Sequence, residues 1–181
     1  MNNDPRIWNR RWRYAGLIVM TLIAVPTLYW YFCRGIPTTV LLVRHADRQG
    51  SADMLSVAGN ERAQTLAHTL GKSGVNAIYT SEAARTQQTA APTAGVLGVT
   101  PVAVAASNTM LLVSNIRNNN YGQKVLVVGH SETVPEIIAA FGGPAVTIDG
   151  NEYDNLYVLT LCRCLFGRVS LTNLQYGVAS P

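Results

Sequence analysis

Arg44 and His45 stand next to each other directly after the apolar run 39–43. An apolar, β-branched run of this length predicts a buried strand, and open α/β sheets place their ligand sites at the carboxyl ends of strands. A second such run, 124–128, is followed after one residue by His130. Guanidinium groups bind anions through planar pairs of donors, and neutral imidazole is a good nucleophile. These residues could therefore bind a phosphoryl group and attack it.

A third motif lies between these two strand ends. The segment 81–90 reads S-x-x-x-R-x-x-Q-T-A and begins just after a short predicted strand, 75–79. Because the segment also opens a helical pattern, Arg85 is expected at the same edge of the same sheet. A second fixed guanidinium group would stabilise the negative charge that spreads over a phosphoryl group during transfer.

Strand and helix patterns alternate through the rest of the chain. The predicted helices are 56–70, which Ser56 caps, 82–97, 109–118 and 133–140, and the further strands are 101–104, 155–161 and 168–174. Pro92 is expected to interrupt or kink the second of these helices, and the last two strands form a hairpin around 166–167. The alternation predicts an α/β domain with a mostly parallel sheet and helices on both faces.

The three motifs, in this order and context, resemble those of the histidine phosphatase superfamily, the phosphoglycerate mutase-like proteins. The family pattern is strand-R-H-G, then S-x-x-x-R-x-x-Q-T-A, then strand-G-H. The resemblance covers about residues 38–176 and is closest in style to the small phosphohistidine phosphatases. One departure is Ala46, which stands where the family usually has glycine.

The resemblance implies a three-layer αβα sandwich in which one strand is antiparallel. It implies that His45 is the nucleophile that becomes phosphohistidine, and that Arg44, Arg85 and His130 form the phosphate pocket. The helices expected after Arg85 and His130 would add positive dipole ends there. The resemblance further implies a metal-independent phosphatase that needs no cofactor.

A general acid is missing from its usual place. Many family members carry a glutamate between the second arginine and the second histidine, where it protonates the departing oxygen. This chain has no Asp or Glu from Thr86 to Gly129. Asp47 and Glu132 are the candidate substitutes, although a loop cap and an N-terminal helix charge would explain them as well. The phosphohistidine phosphatases also lack this acid.

The segment 14–33 contains no charged residue. Its twenty residues, at about 1.5 Å each, match a hydrocarbon core about 30 Å thick. Four arginines precede this segment and only Arg34 follows it closely, so the positive-inside rule predicts a cytoplasmic amino terminus. We expect a basic cytoplasmic segment at 1–13, a transmembrane helix at 14–33, a linker at 34–37 and a periplasmic or otherwise extracytoplasmic catalytic domain at 38–181. A cleaved signal peptide is the alternative.

The net charge of +4 belongs to this leader. Residues 1–34 hold five arginines and one acid, whereas residues 35–181 hold nine basic and nine acidic residues. The domain therefore has no basic stripe, and we expect no nucleic acid partner. The expected partners are the membrane and a phosphorylated small molecule, a lipid-linked phosphate or a phosphoprotein.

Three functions remain open on these grounds. The first is a membrane-anchored phosphatase acting on a phosphoester, phosphoanhydride or phosphoramidate. The second is a catalytically weak or inactive phosphoryl-binding module of the same fold. The third, a phosphoglycerate mutase, is disfavoured because those enzymes are longer chains with inserts that enclose the substrate.

Overall fold

Strands and helices alternate from residue 38 to residue 175. The structure is a computed structural model, and it describes residues 5–33, 36–162 and 169–180. In chain order the elements are α1 (Pro5–Cys33), β1 (Thr38–Arg44), α2 (Val57–Leu70), β2 (Ala77–Thr80), α3 (Ala84–Leu97), β3 (Val102–Ala103), α4 (Thr109–Asn119), β4 (Lys124–Gly129), α5 (Thr133–Ala140), β5 (Asn155–Leu161) and β6 (Val169–Gln175).

The strands form one six-stranded sheet in the order β3-β2-β4-β1-β5-β6. β1 to β4 are parallel, β5 is antiparallel to β1, and β6 is antiparallel to β5. Among the described strands β5 therefore runs against the other five, and the prediction of a mostly parallel sheet is confirmed. The turn of the β5–β6 hairpin, predicted around 166–167, lies outside the described residues.

Helices pack on both faces of the sheet because successive strand side chains point to opposite sides. On β1, Val40 and Leu42 join a core with α4 and α5, whereas Leu41 and Val43 join a core with α2 and α3. All four side chains are at most 7% exposed. The central strands are thus buried on both faces, as is usual for parallel sheets.

Helix boundaries follow the predictions at α2 and α5 and differ at α3. Ser56 caps α2, since its hydroxyl oxygen accepts a hydrogen bond from the backbone N–H of Gly59 at 3.0 Å. α3 begins at Ala84 because Ala83 has an extended backbone. The helix thus starts two residues later than the predicted 82, and Arg85 lies inside its first turn rather than before it.

Pro92 does not interrupt α3, which continues to Leu97 and ends at Gly98 in the left-handed conformation (φ 66°). A proline removes one hydrogen bond from a helix interior. The buried face around it holds the helix on the sheet; its members are Thr86, Thr89, Ala90, Thr93 and Ala94.

The helix α1 spans 29 residues. Its described apolar side chains between Leu17 and Leu28 are more than half exposed. A search of the described residues finds no helix that is both long and apolar enough to cross a membrane.

Candidate active site

The carboxyl ends of β1 and β4 bring the two motif histidines together. The strands are hydrogen-bonded neighbours, with Arg44 paired to Gly129. The backbone N–H of His45 continues this pairing by donating to the carbonyl of Gly129 at 2.9 Å. The imidazole rings of His45 and His130 then meet edge to face, with centroids 5.5 Å apart. The register of β1 against β4 therefore sets the distance between His45 and His130, which belong to different motifs.

Gly129 is needed for the close approach of α5 to the end of β4. A Cβ at this position would lie 2.8 Å from the Oγ1 of Thr133 and 3.0 Å from a methyl carbon of Val134. The same Thr133 oxygen accepts a hydrogen bond from the backbone N–H of His130 at 2.9 Å. The glycine of the G-H motif thus lets the start of α5 pack against His130.

His45 is held as a neutral imidazole with a defined proton position. Its Nδ1 lies 2.9 Å from the carbonyl oxygen of Ala46, and this oxygen can only accept, so Nδ1 carries the hydrogen. In the neutral ring, Nε2 therefore holds the lone pair. The pKa of His45 is lowered from 6.5 to about 4, mainly because the ring is buried. The hydrogen bond to Ala46 acts in the opposite direction, and the positive charges of Arg44 and Arg85 lower the pKa further. The ring is consequently uncharged at neutral pH and carries its single hydrogen on Nδ1.

Arg44 is buried and tied to the irregular segment 141–154. Its Nη1 donates to the carbonyls of Asp149 at 2.8 Å and Glu152 at 3.0 Å. Its guanidinium carbon also lies 4.1 Å from the centroid of the Tyr153 ring, which is itself 6.0 Å from the ring of His45. No motif points to Tyr153, because it lies in a loop that only the fold brings to the site.

Arg85 connects His130 to an acidic residue that the sequence did not single out. Its Nη1 donates to Asp53 Oδ1 at 2.7 Å, and its Nη2 lies 3.1 Å from His130 Nδ1. A guanidinium group has no acceptor, so the Nδ1 lone pair must face Arg85. Burial and the charge of Arg85 lower the pKa of His130. The second histidine is thus also neutral in the unliganded site.

The other residues of the third motif hold the loop that follows His45. Thr89 accepts a hydrogen bond from the N–H of Ala46 at 3.0 Å, and Gln88 accepts one from the N–H of Leu55 at 2.9 Å. Ala46 is fully buried. No described non-glycine residue has a positive φ, so the backbone at position 46 does not require glycine and the departure from R-H-G is accommodated.

The candidate acids lie beside the site in charged environments. Asp47 forms an ion pair with Arg62 at 2.7 Å, and Arg62 also donates to the carbonyl of Val178 at 2.7 Å. Glu132 accepts a hydrogen bond from Ser131 at 2.7 Å, which is the main cause of its lowered pKa. The positive charge of Arg44 lowers it further. Glu132 is therefore ionised at neutral pH.

Two further carboxylates, Asp53 and Glu82, act on His130 and lie outside the 86–129 window of sequence. Asp53 accepts a hydrogen bond from the N–H of Ala84 at 2.9 Å, and this is the main cause of its lowered pKa. The pKa of Glu82 is also lowered, first by its own backbone N–H and then by that of Ala106. Both groups are ionised at neutral pH and so hold no proton to donate.

The described part of the chain contains no cluster of three or more His, Cys, Asp or Glu side chains that could hold a metal ion.

Comparison with known proteins gives a family match over part of the chain and a shared fold. Residues 40–107, which include Arg44, His45 and Arg85, match the histidine phosphatase superfamily (branch 1). No curated protein sequence matches the chain. The structure resembles mycobacterial glucosyl-3-phosphoglycerate phosphatase with a TM-score of 0.60 and 14% identity, over 77% of this chain and 99% of that one.

Two other solved structures share the fold. One is phosphoglycerate mutase from Plasmodium falciparum, with a TM-score of 0.53 and 17% identity over 80% of this chain and 93% of that one. The other is a candidate phosphohistidine phosphatase from Agrobacterium tumefaciens, with a TM-score of 0.51 and 24% identity over 77% and 99%. The resemblance to the histidine phosphatase superfamily is thus confirmed over residues 40–107, and these solved structures share the fold.

The environment of His45 predicts an unusual titration. Because its folded-state pKa of about 4 lies below the ordinary 6.5, protonation favours unfolding, and stability should decline as pH falls from about 6.5 towards 4. Ring ¹⁵N NMR should show His45 neutral, with its proton on Nδ1, down to about pH 5. The His45→Gln variant assigns the signal. A midpoint near 6.5, or a proton on Nε2, would contradict this account of the site.

Proposed function

We propose that the protein is a membrane-anchored, metal-independent phosphatase that forms a phosphohistidine on His45. The observation that supports this most is the state of His45, a neutral ring with its lone pair on Nε2, 5.5 Å from the ring of His130. Arg44 and Arg85 both lower its pKa, so both positive charges act at this ring. A neutral nucleophile among fixed cations suits attack on an anionic phosphoryl group.

In the proposed reaction the Nε2 lone pair attacks phosphorus, and the bond from phosphorus to the leaving group breaks. The leaving group departs with the bonding electrons. Arg44 and Arg85 stabilise the charge on the phosphoryl oxygens, and the carbonyl of Ala46 stabilises the positive charge that develops on the ring through the Nδ1 hydrogen bond. Water then attacks phosphorus, the bond from phosphorus to Nε2 breaks with its electrons returning to Nε2, and phosphate leaves while the protons of the water pass to phosphate and solvent. Neutral His45 is restored.

The substrate class follows from the state of the carboxylates. Asp53, Glu82 and Glu132 have lowered pKa values, and Asp47 is paired with Arg62. Leaving groups that depart without a proton are therefore favoured, as in a phosphoramidate, a phosphoanhydride or an aryl ester. Among structural neighbours, the mycobacterial phosphatase has been solved with inorganic phosphate and with VO3.

The second candidate is a catalytically weak or inactive phosphoryl-binding module. The ion pair of Arg85 with Asp53 favours it, because this pair occupies one amino group of the guanidinium in the unliganded site. Both candidates bind phosphate, and only the phosphatase turns over an activated substrate.

Replacement of the nucleophile should abolish turnover. We expect the protein to release phosphate from an aryl phosphate, and His45→Ala to lose all measurable activity, because His45 is the proposed phosphoryl acceptor. Arg85→Ala should lose about 10²-fold or more, the effect of removing one transition-state donor. An alkaline quench should trap phosphohistidine in the parent.

His68→Ala is the matched control, since His68 is the remaining histidine of the chain and lies exposed on α2. It should retain parental activity. Activity in His45→Ala would exclude the phosphohistidine mechanism, whereas phosphate binding without turnover in the parent would establish the binding module instead.

The lowered pKa values of Asp53, Glu82 and Glu132 predict a steep dependence on the leaving group. General acid help is typically worth about 10² to 10⁴-fold, so kcat/KM should fall sharply across phenyl phosphates as the leaving-group pKa rises. Alkyl phosphates should be poor substrates. Asp47→Asn and Glu132→Gln should not change the slope. A shallow slope in the parent that steepens in one variant would identify that residue as the acid.

The membrane anchor is proposed from the uncharged segment 14–33 together with α1. The apolar side chains described between Leu17 and Leu28 are exposed, and exposed apolar surface of this extent commonly marks a lipid or protein contact. Four arginines precede the segment, which favours a cytoplasmic amino terminus and a domain outside the cytoplasm. A lipid-linked phosphate or an extracytoplasmic phosphoprotein or small molecule would then be the substrate.

Topology can be measured with reporters fused after Pro181. A reporter that is active only outside the cytoplasm should be active, and the protein should stay with membranes in high salt. Replacing three residues of the segment, Leu17, Ile23 and Leu28, by arginine should release the chain from the membrane, because each buried charge opposes insertion by about 2.5–3.5 kcal/mol. Activity of a cytoplasm-only reporter instead would reverse the orientation and remove the argument for extracytoplasmic substrates.

A further inference from the structure

We infer that Ser81 is a positioning residue that holds the proton of His130 on Nε2 and so keeps Nδ1 facing the phosphoryl site. The inference deepens the proposed function and rests on it for its kinetic consequence. It stands on a hydrogen-bond chain that runs from the ring of His130 through Ser81 and Thr86 to the carbonyl of Ala83. We call these three hydrogen bonds the Ser81 chain.

The direction of the Ser81 chain follows from its far end. The hydroxyl oxygen of Thr86 lies 2.7 Å from the carbonyl oxygen of Ala83, which can only accept, so Thr86 donates there. Ser81 Oγ lies 2.9 Å from the same Thr86 oxygen, whose proton is already used, so Ser81 is the donor of that bond. Ser81 Oγ lies 2.9 Å from His130 Nε2, and with its own proton used it must accept. Nε2 therefore carries the hydrogen.

Arg85 leads to the same proton position by an independent route. Its Nη2 lies 3.1 Å from His130 Nδ1, and a guanidinium group can only donate. Nδ1 must then hold the lone pair, which again leaves the hydrogen on Nε2. The contact of Ser81 at Nε2 and the contact of Arg85 at Nδ1 thus indicate the same tautomer of His130.

The side chains of the Ser81 chain are buried, so its hydrogen bonds determine the tautomer of His130. Thr86 is fully buried, Ser81 is 5% exposed and His130 is 7% exposed. Water has little access to replace a missing partner, and an unpaired polar group in such surroundings is costly. Loss of the Ser81 hydroxyl would leave the Nε2 hydrogen without an acceptor, so the ring would gain by moving its proton or by turning.

The chemical consequence concerns the bound phosphoryl group. When Arg85 turns its donor to a phosphoryl oxygen, Nδ1 of His130 becomes available to take a proton from solvent and donate to the same anion. The doubly protonated ring then needs an acceptor on each side, and Ser81 supplies the one at Nε2. Besides Arg85, the charged groups that act on His130 are Glu132, Glu82 and Asp53, whose negative charges favour this proton uptake.

Ring ¹⁵N NMR of the unmodified chain is the first test. His130 should be neutral with its hydrogen on Nε2, and inorganic phosphate should protonate Nδ1 without loss of the Nε2 hydrogen. A hydrogen on Nδ1 in the unliganded protein would overturn the inference before any variant is made. This measurement does not depend on turnover, so it separates the inference from the proposed phosphatase activity.

Variants test the role of the hydroxyl group. Ser81→Ala should lower kcat/KM for an aryl phosphate about 10- to 10²-fold, the scale of one hydrogen bond to a charged group, and should change the His130 tautomer. Ser81→Thr should restore both, because it keeps the hydroxyl. Ser114→Ala, on the exposed face of α4, is the matched control and should change neither. Unchanged activity and an unchanged tautomer in Ser81→Ala would overturn the inference.

Discussion

The parallel pairing of β1 with β4 is the constraint on which the site depends. Both strands are buried on their two faces, and a slip of one residue would turn every apolar side chain to the opposite face. Packing of two cores therefore sets a register that places Arg44 beside Gly129. His45 and His130 follow directly from that register. Packing of the hydrophobic core thus holds His45 beside His130.

Burial at this strand edge also determines the protonation of both rings. Desolvation is the largest cause of the lowered pKa of His45 and of His130, and the nearby guanidinium groups add to it. The backbone carbonyl of Ala46 and the Ser81 chain then specify which nitrogen carries the hydrogen. The site holds positive charge on its arginines and lone pairs on its histidines, which is the combination that a phosphoryl acceptor requires.

The acidic residues around the two histidines hold a helix end and the neighbouring loops in place. Asp53 accepts hydrogen bonds from the start of α3 and from Arg85, so it stabilises the helix end that carries the second guanidinium group. Asp47 pairs with Arg62, which in turn holds the carbonyl of Val178 near the end of the described chain. These contacts fix loops around the site.

The local sequence pattern was enough to predict most helices and strands. It also singled out Arg44, His45, Arg85 and His130, which the fold brings together. The apolar runs before Arg44 and His130 and the cap at Ser56 act through neighbours in sequence, so composition and spacing reveal them. Tertiary structure alone decided the parts that depend on contacts between distant segments. Tyr153 reaches Arg44, Asp53 reaches Arg85, and Ser81 reaches His130 across 49 positions of sequence. Proton positions belong to this second group, because they depend on which acceptor the fold brings to each ring nitrogen.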